Sequence, residues 1–385
     1  MQNFDFYNPT QVLFGKGQIA SLAKVVPSNA KILLLYGGGS IKKNCVYDQV
    51  KLALAANQVL EFAGIEPNPK YETLMRAVAL VKQEKIDFLL AVGGGSVVDG
   101  TKFVAAAAQF EAGSDPWQIL EKWGSNVKSA LPFGCVITLP ATGSETNAAA
   151  VVTRDQAKRS FMSRHVFPKF AVLDPCTTIS LPLRQVGNGV VDSFVHIIEQ
   201  YLTYPSDAPV QDRMAEGLLL TLLEEGPKVL LEPENYAVRA NLMWAASLAL
   251  NGQLGLGVPQ DWATHMLGHE LTALYGLDHA QTLAIVLPNM WRVRKDKKRA
   301  KLLQFAERVW QIKDGDEDQR IEQAIQRTEQ FFQQMGVKTR LQDYGLGEQH
   351  IDAVIAALQQ HKMIALGEQR DVNLAVSRQV LQLCV

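Results

Sequence analysis

With 385 residues, 47% of them hydrophobic and 20% charged, the chain has apolar content for a substantial core and too little charge for a disordered one. A formal net charge of −1 and the lack of a long basic run argue against a nucleic-acid surface, and the densest basic stretch, residues 292–301, reads as a solvated helix face. No apolar run reaches membrane-spanning length, residues 1–5 lack a signal peptide's basic and apolar regions, and Cys45, Cys135, Cys176 and Cys384 lie far apart, so a reduced, cytoplasmic protein with no membrane partner is expected.

Up to about residue 175, short apolar runs alternate with helical patterns. Lys31-Ile32-Leu33-Leu34-Leu35-Tyr36 leads into Gly37-Gly38-Gly39-Ser40, and residues 87–92 lead into Gly93-Gly94-Gly95-Ser96. Apolar runs of this kind predict parallel strands covered on both faces, joined by helical crossovers. Further strands are predicted at 59–62, 135–139 and 170–173. A triple glycine after a strand lets backbone amides approach an anion, and a following helix adds its positive end. Neither turn matches the Gly-x-Gly-x-x-Gly fingerprint, but two at successive strand ends point to a dinucleotide outside the sheet's carboxyl edge. Ser96 is expected to cap its helix, and Asp99 either completes a capping box or stands near the cofactor.

The first loop bears on coenzyme choice. An NAD site commonly sets a carboxylate on the adenosine ribose, which would repel a 2′-phosphate. Residues 37–43 contain no acid but do contain Ser40, Lys42 and Lys43, which predicts NADP(H). Residues 138–147, Thr-Leu-Pro-Ala-Thr-Gly-Ser-Glu-Thr-Asn, suit either a loop wrapping a ligand or an ordinary polar turn.

From about residue 181 the pattern turns helical, with apolar spacings of three and four at 211–223, 236–250 and 300–312, and a buried stripe within the Gln- and Glu-rich 319–335. Val190-Val191-Asp192-Ser193-Phe194-Val195-His196 places a carboxylate and an imidazole four apart. His265 and His269 repeat that spacing, and His279 follows Gly276, a predicted helix stop, so it is expected to return from a loop to the same place. A carboxylate and up to three imidazoles meeting at one point suit Zn²⁺ or Fe²⁺ with a position left open. The zinc-protease signature is excluded, because Glu270 follows the second histidine. Trp244, Trp262, Phe194 and Tyr275 are either core residues or the walls of an apolar pocket near the metal.

Together these motifs resemble those of the iron-containing (group III) alcohol dehydrogenases, closest to the NADPH-dependent aldehyde reductase and butanol dehydrogenase branch. The resemblance covers residues 9–17, both Gly-Gly-Gly-Ser loops, Asn68, the 138–147 loop, residues 173–175, the Asp192/His196 helix and residues 265–288. It implies an α/β dinucleotide-binding domain with a Rossmann-like parallel sheet over 1–178. An all-helical metal-binding domain over 179–385 would follow, in a dehydroquinate synthase-like architecture with the active site between the two. By the same resemblance Asp192, His196, His265 and His279 bind one divalent ion, zinc or iron. His269 lies near the substrate without being a ligand, and it and Asp99 are the candidate catalytic residues. Gly94, Gly95 and Ser96, with Asp99 close by, match the pyrophosphate site. Gly37, Gly38, Gly39 and Ser40 match the adenosine end, and Asn68, Thr138, Leu139, Thr142, Asn147 and Lys158 match positions around the cofactor. Ala280 stands where many members of the family have glycine, which trims space without removing a ligand.

The activity implied is reversible reduction of short-chain aldehydes to primary alcohols by a homodimer using NADP(H) and one metal ion. A polyol or sugar dehydrogenase of the same superfamily is the nearer rival. A dehydroquinate synthase-like lyase should need basic residues beside the metal, and residues 192–199 and 262–274 carry no Lys or Arg. A metal-stabilised nucleotide-binding protein would bind NADPH without oxidising it.

Overall fold

The computed structural model describes residues 1–385. Its strands are β1 (Gln11–Phe14), β2 (Lys31–Tyr36), β3 (Gln58–Phe62), β4 (Phe88–Gly94), β5 (Phe133–Leu139), β6 (Ala149–Arg154), β7 (Ala157–Met162) and β8 (Phe170–Leu173). Six of them form one sheet in the order β1-β8-β5-β4-β2-β3, every neighbouring pair parallel. The other two, β6 and β7, pair as an antiparallel hairpin where the sequence pattern predicts no strand.

The unbroken apolar runs of β2 and β4 have the cause expected of them. Leu33, Leu35, Leu89 and Ala91 pack with residues of helices Tyr71–Glu84 and Gly95–Ala108, whereas Ile32, Leu34, Leu90 and Val92 pack with Ile19, Val46 and Val50. Successive side chains of a strand enter opposite faces, so both faces must be apolar when both are covered. From β2 the chain moves outward to β3, and from β4 it moves the other way to β5. The strand order therefore reverses between β2 and β4, the place where open α/β sheets hold ligands beyond their carboxyl ends. Both Gly-Gly-Gly-Ser stretches stand at that reversal.

The chain divides into two compact units. The sheet unit comprises Tyr7–Leu181 and Glu234–Ser247, and the helical unit Met1–Phe6, Pro182–Pro233 and Leu248–Val385. The division at Leu181 lies three residues past the expected end at 178, and the segment 234–247, expected from sequence in the helical half, groups with the sheet. Met243, fully buried, joins the core on the sheet's β4/α-helix side. In the helical unit, helices Ala263–Tyr275, His279–Arg308, Ile351–Gln360 and Leu374–Leu383 enclose a second core. Helix Leu183–Tyr201 is anchored by Phe194, wholly buried in an aromatic cluster with Phe305, Phe331 and Phe332. No helix is long and apolar enough to cross a membrane.

Candidate metal centre and nucleotide loops

Three helices of the helical unit bring the candidate ligands together. Leu183–Tyr201 carries Asp192 and His196, and Ala263–Tyr275 carries His265 and His269. Gly276 ends the second helix in the left-handed conformation (φ 71°). His279 does not return from a loop, as the sequence pattern predicts. It is the first residue of helix His279–Arg308, where Asp278 and Gln281 close a reciprocal capping box. A Cβ on Gly268 would stand 2.7 Å from Thr282 Oγ1, so only glycine lets the second and third helices approach this closely.

Asp192, His265 and His279 each offer one donor atom, and the three atoms lie within 4.8 Å of one another. Asp192 Oδ1 is 3.7 Å from His279 Nε2 and 3.7 Å from His196 Nε2. Donors bound at about 2.0–2.2 Å to one tetrahedral ion would be roughly 3.4 Å apart, so small rotations suffice for ligation. His196 stacks on His265 with ring centroids 4.7 Å apart, beside the trio but outside its tightest grouping. One carboxylate with imidazole nitrogens is the donor chemistry of Zn²⁺ or Fe²⁺, so the residues fit the ion. Asp192, His196 and His265 are almost fully buried, whereas the His279 side chain is 23% exposed and marks the open side. His269 lies 5.3 Å from His279 and 6.3 Å from His265, ring to ring.

Glu199 is a site residue that the sequence motifs do not reveal. Its carboxylate faces His265 Nδ1 through Oε2 and accepts the Thr264 backbone N–H through Oε1 at 2.8 Å. Burial and the neighbouring Asp261 push the Glu199 carboxyl well above the usual carboxylate range, while the backbone N–H groups and Lys298 oppose them. Lys298 is itself buried, 2.8 Å from both Asp261 and Glu368. The four-then-three spacing Asp192, His196, Glu199 on one helix face was the signal available. Of the four aromatic candidates for a pocket, Trp262 is the one beside the metal residues, 5.2 Å from the His265 ring. Phe194 is core, Tyr275 donates to the His350 carbonyl, and Trp244 packs edge-on against Phe14.

In the sheet unit, the expected nucleotide residues collect around the start of helix Gly95–Ala108. The Asn68 backbone N–H donates to Ser96 Oγ at 3.3 Å, and a Cβ on Gly95 would lie 2.6 Å from Thr142 Cγ2. Leu139 stands against Gly94, where a Cβ would meet its Cβ at 3.1 Å. Thr138, near the end of β5, is buried, and Lys158 on β7 lies close enough to Asp99 to draw its pKa down. Ser96 does not cap the helix, and Asp99 forms no capping box with it. The N-cap residue is Gly94, and the Asp99 carboxylate accepts from Ser144 Oγ at 2.6 Å and the Val151 N–H at 2.9 Å. Burial nevertheless raises the Asp99 pKa.

Lys102, which no motif marks, is fully buried one turn further along. It donates to Asn147 Oδ1 at 3.0 Å and to the Ala149 carbonyl at 2.7 Å, and burial lowers its pKa to about 8. With Oδ1 taken by Lys102 and by the Ala149 N–H, the Asn147 amide must turn its NH2 the other way. At the first loop, Gly37, Gly38, Gly39 and Ser40 follow β2 and lead into the short 3₁₀ turn Ser40–Lys42. Lys42, expected to meet a phosphate, instead pairs with Glu61 at 3.1 Å between the Tyr36 and Tyr47 rings.

Comparison with known proteins gives one consistent answer. Residues 9–175 match the family model described as iron-containing alcohol dehydrogenase, and residues 187–381 match the C-terminal model of the Fe-containing alcohol dehydrogenase family. The chain is 62% identical over 384 residues to the NADPH-dependent aldehyde reductase YqhD of Escherichia coli K12, covering 99% of each. It is 42% identical to NADP-dependent alcohol dehydrogenase 3 of Entamoeba histolytica, covering 92% of each. A crystal structure of E. coli YqhD superposes with a TM-score of 0.99 over 100% of this chain and 99% of that one, at 61% identity. The NADH-dependent butanol dehydrogenase A of Thermotoga maritima superposes with a TM-score of 0.95 over 100% of this chain and 99% of that one, at 34% identity.

Proposed function

The chain belongs to the iron-containing alcohol dehydrogenase family, and from that premise we propose that it reduces short-chain aldehydes to primary alcohols, reversibly, with NADPH and one divalent metal ion. The observation that carries this reading is the Asp192, His265 and His279 cluster, with donor atoms within 4.8 Å, in a chain 62% identical to an NADPH-dependent aldehyde reductase. His196, 3.7 Å from Asp192, completes the ligand set we assign. The ion supplies Lewis acidity toward a carbonyl oxygen, and the reduced nicotinamide supplies hydride.

The chain's own residues supply charge, placement and protons. Asp192 brings a negative charge to a nearly dry position, and neutral imidazoles complete the donor set, so acid should release the ion. His269 is the neighbouring imidazole outside that set, and we assign one of its ring nitrogens the delivery of the proton needed by the product oxygen. The amides opening helix Gly95–Ala108 favour the coenzyme's pyrophosphate. Gly37 to Ser40, Asn68, Thr138, Leu139, Thr142, Asn147 and Lys158 line its remaining length. Of the two lysines after the first loop, Lys43 is the one we assign to a 2′-phosphate, since Lys42 is held by Glu61. A cytoplasmic homodimer, to be checked by sedimentation, completes the reading; none of the four cysteines is in a disulfide.

The test is NADPH oxidation by metal-reconstituted protein over aliphatic, branched, aromatic and hydroxylated aldehydes, with NADH alongside. Loss of reduced-nicotinamide absorbance with short aldehydes, faster with NADPH, is the expected outcome. His265→Ala and His279→Ala should lose bound metal and turnover together. Full metal occupancy with undiminished turnover in both would reject the ligand assignment. His269→Ala should keep its metal while its rate or pH profile changes.

A further inference from the structure

We propose that Glu199 is the positioning residue for His265: its buried carboxylate turns the imidazole so that Nε2 faces the cation, and so sets the metal affinity of the site. The inference rests on the reading of His265 as a ligand given above. Asp192, His196 and Glu199 share one face of helix Leu183–Tyr201, so a single helix presents two candidate ligands together with the brace for a third.

The two carboxylate oxygens divide the work. Oε1 accepts the Thr264 N–H at 2.8 Å, and Oε2 faces Nδ1 of the very next residue, His265. Thr264 N–H is one of the amides a helix leaves unpaired in its first turn; the N-cap residue Trp262 does not serve it, and Asp261 Oδ1 takes the preceding Ala263 N–H at 2.9 Å. Glu199 therefore fixes both the backbone that bears His265 and the rotation of its ring. An imidazole that offers Nε2 as a lone pair carries its proton on Nδ1 and needs an acceptor there, which Oε2 provides. Glu199 is held in turn. Its carbonyl accepts the Asp261 N–H at 2.7 Å, and the Asp261 side chain is tied to the buried Lys298 at 2.8 Å.

Glu199→Gln separates this role from a simple tie between helices. Glutamine keeps the shape but has one acceptor where two donors must be met. If its oxygen takes the Thr264 N–H, its NH2 confronts Nδ1–H, and the ring must move its proton to Nε2 and cease to be a donor to the ion. Zn²⁺ affinity, measured by chelator competition, should fall roughly 10–100-fold. The visible absorption of the Co²⁺-loaded protein should change, and NADPH affinity should not. Glu199→Asp, which keeps the charge on a shorter arm, should lie between the parent and Glu199→Gln.

A mere tie between helices predicts a lower Tm with Zn²⁺ affinity within twofold of the parent, and that result overturns the proposal. If Glu199→Gln does not fold, Glu199→Asp decides, and parent-like affinity with an unchanged Co²⁺ spectrum overturns it. His265→Ala is the control. If it loses Zn²⁺ while Glu199→Gln keeps parent affinity, positioning fails and the ligand reading stands. If it keeps Zn²⁺, both fall.

Discussion

Lys102 shows how a single residue can bind the nucleotide half together without touching solvent. An ammonium group with no exposure is disfavoured by desolvation, and the nearby charges of Asp99 and Glu145 only partly offset that, which is why its pKa falls to about 8. Below pH 8 both folded and unfolded chains hold the proton, and the folded state carries the full burial cost. Between about 8 and the lysine's ordinary 10.5 the unfolded chain still holds a proton that the folded chain has released, so stability rises with pH. Relative to Lys102→Met, the parent's unfolding free energy should climb by about 2 kcal/mol from pH 8 to pH 10. Denaturant titrations at matched pH read this directly, and a flat difference would refute it. Gly95→Ala tests the neighbouring contact, since its Cβ would collide with Thr142. A cost of about 1–3 kcal/mol is expected, largely recovered in the Gly95→Ala, Thr142→Ala pair.

Among the elements, helix His279–Arg308 begins on a candidate metal ligand, so its cap also borders the candidate site. Asp278→Ala should remove about 1 kcal/mol of stability. It should also weaken Zn²⁺ binding severalfold, because His279 at the frayed end would lose its fixed direction; calorimetry with Zn²⁺ measures both. Elements with one strong signal were legible in the sequence. The buried strands β2 and β4 and their glycine turns could be read directly, because a short run apolar at every position, closed by glycines, is what a strand covered on both faces requires. The hairpin of β6 and β7 was not legible, since Asp155 takes the left-handed conformation (φ 52°) without a following glycine, and Lys158-Arg159-Ser160 looks like a polar loop. The clustering of Asp192, His265 and His279 was legible through their spacing. Glu199, Lys102 and the pairing of Lys42 with Glu61 were not, because each depends on a partner 19 to 66 residues away that only the fold brings near.

For the molecule as a whole, the two groups of candidate residues belong to different units, the nucleotide loops to the sheet unit and the metal ligands to the helical one. Each ligand should therefore stabilise its own unit first. Thermal unfolding followed by calorimetry should show NADPH and Zn²⁺ acting on separable parts of the transition. At a hundredfold excess over Kd each is worth about 2.7 kcal/mol. A chelator that shifted every part of the transition equally would contradict this.

The segment 234–247 gives that division a further consequence. A clone ending at residue 181 would encode every strand of the sheet and every glycine loop, yet omit Met243 from its core and Ser247, the hydroxyl donor to buried Glu145. Such a fragment should precipitate on expression unless a peptide spanning 234–247 is supplied beside it. Gene fusions that treat the first half of this chain as a portable coenzyme cassette would inherit the same defect.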